Sequence, residues 1–571
     1  MDKLKYTIVI ASLLCPIWSM AQINDVVEVE NQYVPIIRDA NKINLAPKKV
    51  EQPVVRHQVD YIKSPLTPQG YVFQPLWAAK SDEIAKSESK GYAHLGYGTY
   101  GNLTGRISLG ADMGTNARLD FSAGIDGYNG KVKTYDGNND WTNRFYQSDI
   151  SVTYRHNLSS TSEFVIDAAL EGQAFNYQTM PLINSLHSPS TDKRRHLMSE
   201  VTARVTPYRL GQVELGGTLG YKGFKLAHNE WHNAPDAENI FHAGVNVAYI
   251  IQDNKKAGLD MGVRHEGYNN DAANFFTFWA NPSYSATNDR WNVKIGLLFT
   301  ATSYLETELH MTPDVTAVYH ASDYVDITAK VSGGERSNDF RALNALSPYW
   351  LAGPVDMAVG TTITPSIPLL ALTKQYAHQV DQLDTRFGID WKPCNAFTIS
   401  GAFGLDVQGN RLELISHTEA PARSQPPYLY HHFFTVDGNR FYGELNMLYR
   451  YKDVIDVTLN NQINSWESDA DFIGPLRPIF DADWKANVTV APGFVATLDF
   501  AIQSYDNNEK AKYIRPNRYD LGAGLSYRLP LEGYNATLFA KANNILNNKY
   551  DNYCAYKAPG FNVIAGAAVT F

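Results

Sequence analysis

The sequence predicts an all-β fold, namely a transmembrane antiparallel β-barrel of about 22 strands with short periplasmic turns and long extracellular loops. Three observations support this prediction. From Gly91 onward, apolar and polar residues alternate along segments long enough to cross a bilayer as tilted strands. Short and long connections join these segments in turn. Beyond the N-terminus, no run of eighteen apolar residues is present to form a membrane helix.

The first long segments, near residues 102–113 and 116–128, show the alternation clearly. Leucine, isoleucine, phenylalanine and alanine side chains follow one face of each segment. Charged side chains follow the other face, and this set comprises Arg106, Asp112, Arg118, Asp120 and Asp126. Because lipid-facing and lumen-facing residues alternate in membrane barrels, we predict that these five residues face a polar lumen.

The connections provide an independent indication of a barrel. Counted from a first segment near 91–101, the connections after even-numbered segments are brief, such as Gly114-Thr115, whereas those after odd-numbered segments are mostly long, such as 337–377 and 414–439. This alternation predicts that both chain ends of the barrel lie in the periplasm. The two long connections contain apolar runs, and Val436-Asp437-Gly438-Asn439 has the composition of a hairpin turn. Hidden strands and a hairpin above the membrane are therefore both open interpretations.

Composition limits the functional class. The 35 Tyr, 25 Phe and 10 Trp residues beside 40 Gly suit aromatic belts at the two membrane surfaces. The net charge of -9 argues against nucleic acid as a partner. Together with the alternating segments, these features predict a protein of the cell outer membrane, with outer-membrane lipid as a partner.

The N-terminal region predicts export and a separate leader. Basic Lys3 and Lys5, an apolar stretch and Ser19-Met20-Ala21 form a signal peptide over residues 1–21. Residues 22–90 are proline-rich with little periodicity, and two interpretations stay open, a periplasmic leader and a segment that enters the lumen. The barrel is predicted over residues 91–571. Cys394 and Cys554 fall at opposite barrel ends, so both are predicted to be free.

No catalytic residue, cofactor or metal site is predicted. His228-Asn229-Glu230-Trp231-His232 holds two imidazoles and a carboxylate, but the better interpretation is a polar loop. Asp136-Gly137-Asn138-Asn139-Asp140 begins like a calcium loop, yet no Glu follows at the twelfth position. An aromatic and histidine-rich group in an outer loop supplies the extracellular contact candidates, namely Tyr428, Tyr430, His431, His432 and Phe433.

The C-terminal sequence resembles that of TonB-dependent receptors. Ala542-Asn543-Asn544-Ile545-Leu546-Asn547-Asn548-Lys549-Tyr550 matches the N-[LI]-[FL]-N-x-x-Y pattern of their penultimate strand, and Ala558-Pro559-Gly560 precedes the last strand. Phe561 stands where the family often has Arg. The terminal Phe571 resembles the C-terminal assembly signal of outer-membrane proteins. The resemblance covers roughly residues 91–571 and implies the family's 22-strand barrel.

The N-terminal region departs from that family. Its members place a plug domain of well over a hundred residues before the barrel, whereas only residues 22–90 are available here. We therefore expect a barrel that lacks a plug. Asp25-Val26-Val27-Glu28-Val29 is only faintly similar to a TonB box, so engagement of TonB stays open.

Three functions are compatible with these observations, and none is enzymatic. The first is transport across the outer membrane by a receptor-like barrel without a plug. The second is a structural subunit that holds other envelope proteins or surface lipoproteins. The third is a passive, porin-like channel.

Overall fold

The computed structural model describes residues 91–134, 137–179, 194–227, 235–269, 274–303, 307–350, 378–419, 428–468, 477–505, 515–531 and 535–571. The chain divides into two compact units, Met1–Lys63 and Ser64–Phe571, and all the described residues belong to the second. The predicted signal peptide, the 22–90 segment and the sequence similar to a TonB box lie outside the described residues.

Among the described residues, twenty-two strands form one closed antiparallel barrel, as predicted. The barrel strands are β1 (Gly91–Gly98), β2 (Leu103–Asp112), β3 (Ala117–Lys133), β4 (Asp140–Asn157), β5 (Glu163–Phe175), β7 (Arg194–Leu210), β8 (Val213–Ala227), β9 (Ala237–Gln252), β10 (Lys255–Tyr268), β11 (Phe275–Thr287), β12 (Trp291–Ser303), β13 (Thr307–Ser322), β14 (Val325–Arg336), β15 (Gln379–Cys394), β16 (Phe397–Glu419), β17 (Tyr428–Tyr451), β18 (Ile455–Ser468), β19 (Phe480–Ala491), β20 (Phe494–Ser504), β21 (Arg518–Arg528), β22 (Asn535–Asn543) and β25 (Asn562–Thr570).

Four short elements lie outside the wall of the barrel. They are β6 (Gln178–Thr179), the helix α1 (Phe340–Leu346), β23 (Asp551–Tyr553) and β24 (Tyr556–Lys557). A single 3-10 turn, Thr99–Gly101, joins β1 to β2. No helix within the described ranges is long and apolar enough to span a membrane.

The first and last strands close the barrel. β1 pairs antiparallel with β25, and the amide of Gly91 donates to the Phe571 carbonyl at 2.8 Å while the Phe571 amide donates to the Gly91 carbonyl at 3.0 Å. Every wall strand thereby has a neighbour on both sides, which a membrane barrel requires because unpaired backbone groups are costly in hydrocarbon. The ring of the terminal Phe571 is half-exposed beside Gly91, and its role as an assembly signal stays a prediction.

The outer face of the wall is apolar. In β2 and β3, Ile107, Leu109 and Ile125 are exposed on the same face of the wall. The same pattern recurs around the barrel, for example at Leu219 in β8 and Ile295 in β12. This exposed apolar surface matches a lipid-facing band.

Short turns and long connections segregate to opposite ends of the barrel. The turn after β15 is only two residues long, and Cys394 lies beside it, whereas Cys554 lies in the long connection between β22 and β25. Both cysteines are free, as predicted. In outer-membrane barrels the end with the short turns is periplasmic and the end with the long loops is extracellular.

Most of the connection predicted over 414–439 is β-strand, which agrees with the hairpin interpretation that the sequence left open and not with a loop throughout. β16 continues to Glu419 and β17 begins at Tyr428, so these two strands form a hairpin that extends beyond its wall neighbours. Val436–Asn439 is not a turn but lies within β17. The turn-like composition instead marks a β-bulge, because Gln408 pairs with Gly438 and the next pair is Arg411 with Val436.

Candidate functional site

The five charged candidates lie on the polar face of the wall. The pairing of β2 with β3 brings Arg106, Asp112, Arg118, Asp120 and Asp126 to the face opposite the exposed apolar residues. Arg106 forms an ion pair with Asp149 of β4 at 2.9 Å, and Arg118 forms one with Asp120 at 2.8 Å. One pair joins β2 to β4 and the other lies within β3, so both arginines of the set are paired with carboxylates on this face.

The extended hairpin forms an arm that crosses the barrel mouth. We define the arm as Arg411–Glu419 of β16 with Tyr428–Val436 of β17. β17 pairs with β6 in the connection after β5, through Tyr428 opposite Thr179 and Leu429 opposite Gln178. β5 is the fifth and β17 the sixteenth of the twenty-two wall strands, so the arm reaches the opposite wall.

The bulge marks the point where the arm begins. Asn410 has a positive φ of 53°, and its amide donates to the Asp437 carboxylate at 2.9 Å. Asn is one of the few residues that adopts this backbone conformation at low cost. Since a bulge bends and twists its strand, its position separates the wall part of the hairpin from the arm.

A second loop folds inward beneath the long-loop end of the barrel. It comprises Ser337–Trp350, which we call the helix segment, and it contains α1. Asp339 caps the helix by accepting a hydrogen bond from the Ala342 amide at 2.7 Å. The buried carboxylate of Glu238 in β9 accepts from the Phe340 amide at 3.0 Å, so the wall also satisfies the start of the helix.

The helix segment ends on the arm. Trp350 forms a parallel bridge with His431, and the His431 amide donates to the Tyr349 carbonyl at 2.8 Å. The hydroxyl of Tyr177, beside β6, donates to the Trp350 carbonyl at 2.8 Å. Three separate connections of the barrel therefore meet at Trp350.

The hairpin formed by β23 and β24 completes this arrangement. The Tyr556 ring stacks on the Tyr349 ring with 3.6 Å between centroids, and its hydroxyl donates to the Leu429 carbonyl at 2.5 Å. The Cys554 carbonyl accepts from Nε2 of His431 at 2.7 Å. We refer to the arm, the helix segment, β6 and the β23–β24 hairpin together as the cap.

An apolar core at the mouth of the barrel joins the cap to the surrounding wall strands. Two clusters of buried side chains form it. The first contains Met198, Phe224, Leu226, Tyr268, Phe275, Phe340, Leu343, Trp350, Leu412, Leu414 and Phe433, and the second contains Val132, Trp141, Phe175, Tyr177, Tyr349, Leu429, Ala555 and Tyr556. Full burial of each large apolar side chain stabilises the folded cap by about 1.5–3 kcal/mol.

The structure buries two of the five predicted contact residues, and for these two the prediction of an extracellular contact surface was wrong. His431 is 0% exposed and Phe433 is 1% exposed, because both pack into the cap. The side chains of Tyr428, Tyr430 and His432 lie outside the described residues. The sequence signal that was missed is the alternation of charged and apolar residues in Arg411-Leu412-Glu413-Leu414, which is typical of a strand that continues.

Hydrogen bonds around the buried His378 attach both ends of the 337–378 connection to the wall. His378 directly precedes β15 and hydrogen-bonds through Nε2 to Glu266 at 3.1 Å and through Nδ1 to Glu335. Ser337, at the other end of the connection, donates to Glu266 at 2.8 Å. Arg264 forms an ion pair with Glu266 at 2.7 Å, so the cluster holds two cationic and two anionic groups when His378 is protonated.

Raising the pH is expected to loosen this attachment. Burial lowers the pKa of His378, but its hydrogen bonds to Glu266 and Glu335 raise the pKa by more, to about 9. Because the folded pKa exceeds the ordinary value of 6.5, the stabilisation is fully present below about pH 6.5 and is lost as the pH rises through about 9. Proteolysis within Ser337–Trp350 should accelerate between about pH 8 and pH 10. The His378→Gln variant should show no such rise in the proteolysis rate with pH. If the variant showed the same rise, a group other than His378 would be responsible for it.

The described residues hold no cluster of three or more His, Cys, Asp or Glu side chains suited to a metal ion. The His228–His232 segment lies outside those residues. Asp140, the last residue of the stretch that begins like a calcium loop, instead forms an ion pair with Lys133 at 2.8 Å.

No protein-family model and no curated protein matches the chain. Solved structures do match. The copper transporter OprC is 13% identical with a TM-score of 0.59, and the match covers 85% of this chain and 81% of that chain. The FrpB iron transporter from Neisseria meningitidis (F5-1 variant) is 10% identical, with a TM-score of 0.59 and coverage of 84% and 82%. The siderophore receptor PiuA from Acinetobacter baumannii is 10% identical, with a TM-score of 0.57 and coverage of 84% and 81%.

At these identities the similarity establishes the fold alone. It agrees with the resemblance to TonB-dependent receptors that the C-terminal sequence carries, and it agrees with the strand number, the closed pairing and the exposed apolar band. The chain is therefore an outer-membrane β-barrel with the fold of outer-membrane receptors and transporters.

Proposed function

We propose that this protein is a gated transport barrel of the outer membrane, in which the cap closes the extracellular mouth in the resting state. The pairing of the arm with β6, which follows β5 on the opposite side of the barrel, is the observation that carries the proposal. An arm that crosses the mouth and buries an apolar core there would obstruct a passive pore. A gate needs such an element, since it must have a closed state stable enough to be populated without substrate.

The proposal includes the absence of a plug domain. In this proposal the cap, and not a plug domain, closes the extracellular end of the barrel. Deleting residues 23–85 should then leave the barrel closed in a planar bilayer. Steady conductance after this deletion would assign closure to the deleted segment instead.

A disulfide across the arm tests the gate directly. Gln178 and Leu429 are paired residues, and paired Cα atoms of antiparallel strands lie about 4.5–5.5 Å apart, within disulfide range. Gln178→Cys with Leu429→Cys, in a Cys394→Ser and Cys554→Ser background, should abolish channel openings when oxidised. Reduction should restore them.

Single-cysteine variants in the same background are the control, because they carry the same side-chain changes without the crosslink. They should open like the parent under both redox conditions. Two results would overturn the proposal: openings that persist unchanged in the oxidised double variant, or large steady conductance of the unmodified protein, as expected for a passive channel.

A further inference from the structure

Four basic side chains lie close to one another on the outer face of the wall, near the long-loop end. We call them the basic patch, and they are Lys131 of β3, Arg144 of β4, Arg195 of β7 and Lys225 of β8. Together with β5, which lies between β4 and β7, these strands are neighbours in the wall. Since neighbouring strands are roughly 4.8 Å apart, the patch spans an arc of about 19 Å.

The register of the strands places the patch on the lipid-facing side. Each basic residue shares its face with an exposed apolar residue of the same strand, in the combinations Lys131 with Ile125, Arg144 with Ile150, Arg195 with Leu197 and Lys225 with Leu219. No bulge interrupts the register between the two residues of any combination. Residues adjacent in sequence, such as Val132 and Phe224, belong to the buried core at the mouth and therefore point inward.

The patch lies at the level of the lipid headgroups. Each of its residues is twelve to fifteen residues from the short-turn end of its strand. At a rise of about 3.3 Å per residue and a tilt of about 40°, this distance places the side chains roughly 30–38 Å above that end. The apolar band of such barrels is about 25 Å tall, so the patch lies at its extracellular edge.

The four charges are uncompensated within the described part of the chain. Three members of the patch are exposed and Arg144 is partly exposed, and none forms an ion pair with another described residue. On the outer face of these five strands, Asp140 is the only acidic residue among those described, and Lys133 already binds it at 2.8 Å. The outer face therefore carries unpaired positive charge directly above exposed apolar side chains.

We propose that the basic patch binds the phosphorylated headgroup of an anionic lipid of the outer leaflet. The two arginines suit phosphate because a guanidinium donates two parallel hydrogen bonds to it, and clusters of basic residues at a membrane surface attract anionic headgroups. The acyl chains would lie on the exposed apolar residues below, such as Leu197 and Leu219. An acidic protein surface would match the charges, but only a lipid also covers the apolar band that continues from the patch.

Binding is tested with the purified full chain in a nonionic detergent, by native mass spectrometry. The probes are lipid A with two phosphate groups and the same lipid A with both phosphates removed. The phosphorylated lipid should bind at least about tenfold more tightly than the dephosphorylated lipid. A hundredfold excess of inorganic phosphate should not displace it, because phosphate has no acyl chain to contact the apolar band. Equal binding of the two lipids, or displacement by inorganic phosphate, would overturn the proposal.

Three double variants assign the binding to the patch. Arg144→Gln with Arg195→Gln removes two charges and should weaken binding of phosphorylated lipid A at least about tenfold. Arg144→Lys with Arg195→Lys keeps the charges and should retain most of the affinity, since Lys binds phosphate as a point charge. The matched control is Lys392→Gln with Lys452→Gln, which removes two exposed charges at the short-turn end and should leave the affinity unchanged.

Heat-modifiable migration on gels checks that each variant is folded. Unchanged affinity in the first variant, or an equal loss in the control, would show that the basic patch is not the binding site. The proposal does not rest on gating, because lipid binding and conductance are measured separately.

Discussion

Replacing Gly409–Asp437 with a two-residue Asn-Gly turn is expected to convert the closed barrel into a steadily conducting one. Gln408 and Gly438 are paired residues, so a two-residue hairpin turn joins them without changing the register of the wall. The change removes the arm together with the buried side chains of Leu412, Leu414 and Phe433. At about 1.5–3 kcal/mol for each such side chain, the rest of the cap loses much of its core.

Planar-bilayer recording of the reconstituted protein measures this effect. The wall should remain intact, because β16 and β17 keep their pairing from Phe397 opposite Tyr449 to Gln408 opposite Gly438. Unchanged heat-modifiable migration would show that the barrel still assembles. If the variant without the arm stays closed, the proposed role of the arm is contradicted. The part of the protein that blocks the barrel would then lie below the mouth.

The barrel wall could be predicted from the sequence because its physical cause is local. Every second side chain contacts lipid, so the alternation in strands such as β2 and β3 is visible in the residues themselves, and the segregation of short and long connections fixes the topology. The free state of Cys394 and Cys554 followed from the same topology.

The cap could not be predicted, because its stability comes from contacts between distant segments. Trp350 and His431 meet only when two loops fold over the mouth, and no periodicity in either loop indicates the other as its partner. Apolar residues in 337–377 were visible, but the sequence does not say whether they contact lipid, a partner protein or another loop. Similarly, Val436–Asn439 has the composition of a turn, and only the pairing of β16 with β17 identifies it as part of a bulged strand.

Trp350→Ala is expected to destabilise the cap while leaving the barrel wall assembled. Trp350 is 1% exposed, and its ring packs against Phe340, Phe224 and Phe433 with centroid separations of 5.0, 6.1 and 6.3 Å. Its indole N–H has no hydrogen-bond partner among the described residues, so the substitution removes packing and no side-chain hydrogen bond. Truncation of such a buried Trp costs about 3–5 kcal/mol, which raises the equilibrium constant for cap opening by roughly two to four orders of magnitude.

Hydrogen exchange and channel recording together distinguish loss of the cap from loss of the barrel. In Trp350→Ala, hydrogen exchange should accelerate in Ser337–Trp350 and in the β23–β24 hairpin, and the open probability of the channel should rise. Hydrogen exchange in wall strands such as β3 should not change, because the wall hydrogen bonds do not depend on the cap. Trp291→Ala is the matched control, since Trp291 in β12 is 45% exposed on the wall and contacts no cap residue among those described. If the two variants gave the same exchange pattern, the cap core around Trp350 would not be what holds the mouth closed, and closure would have to come from the polar wall below it.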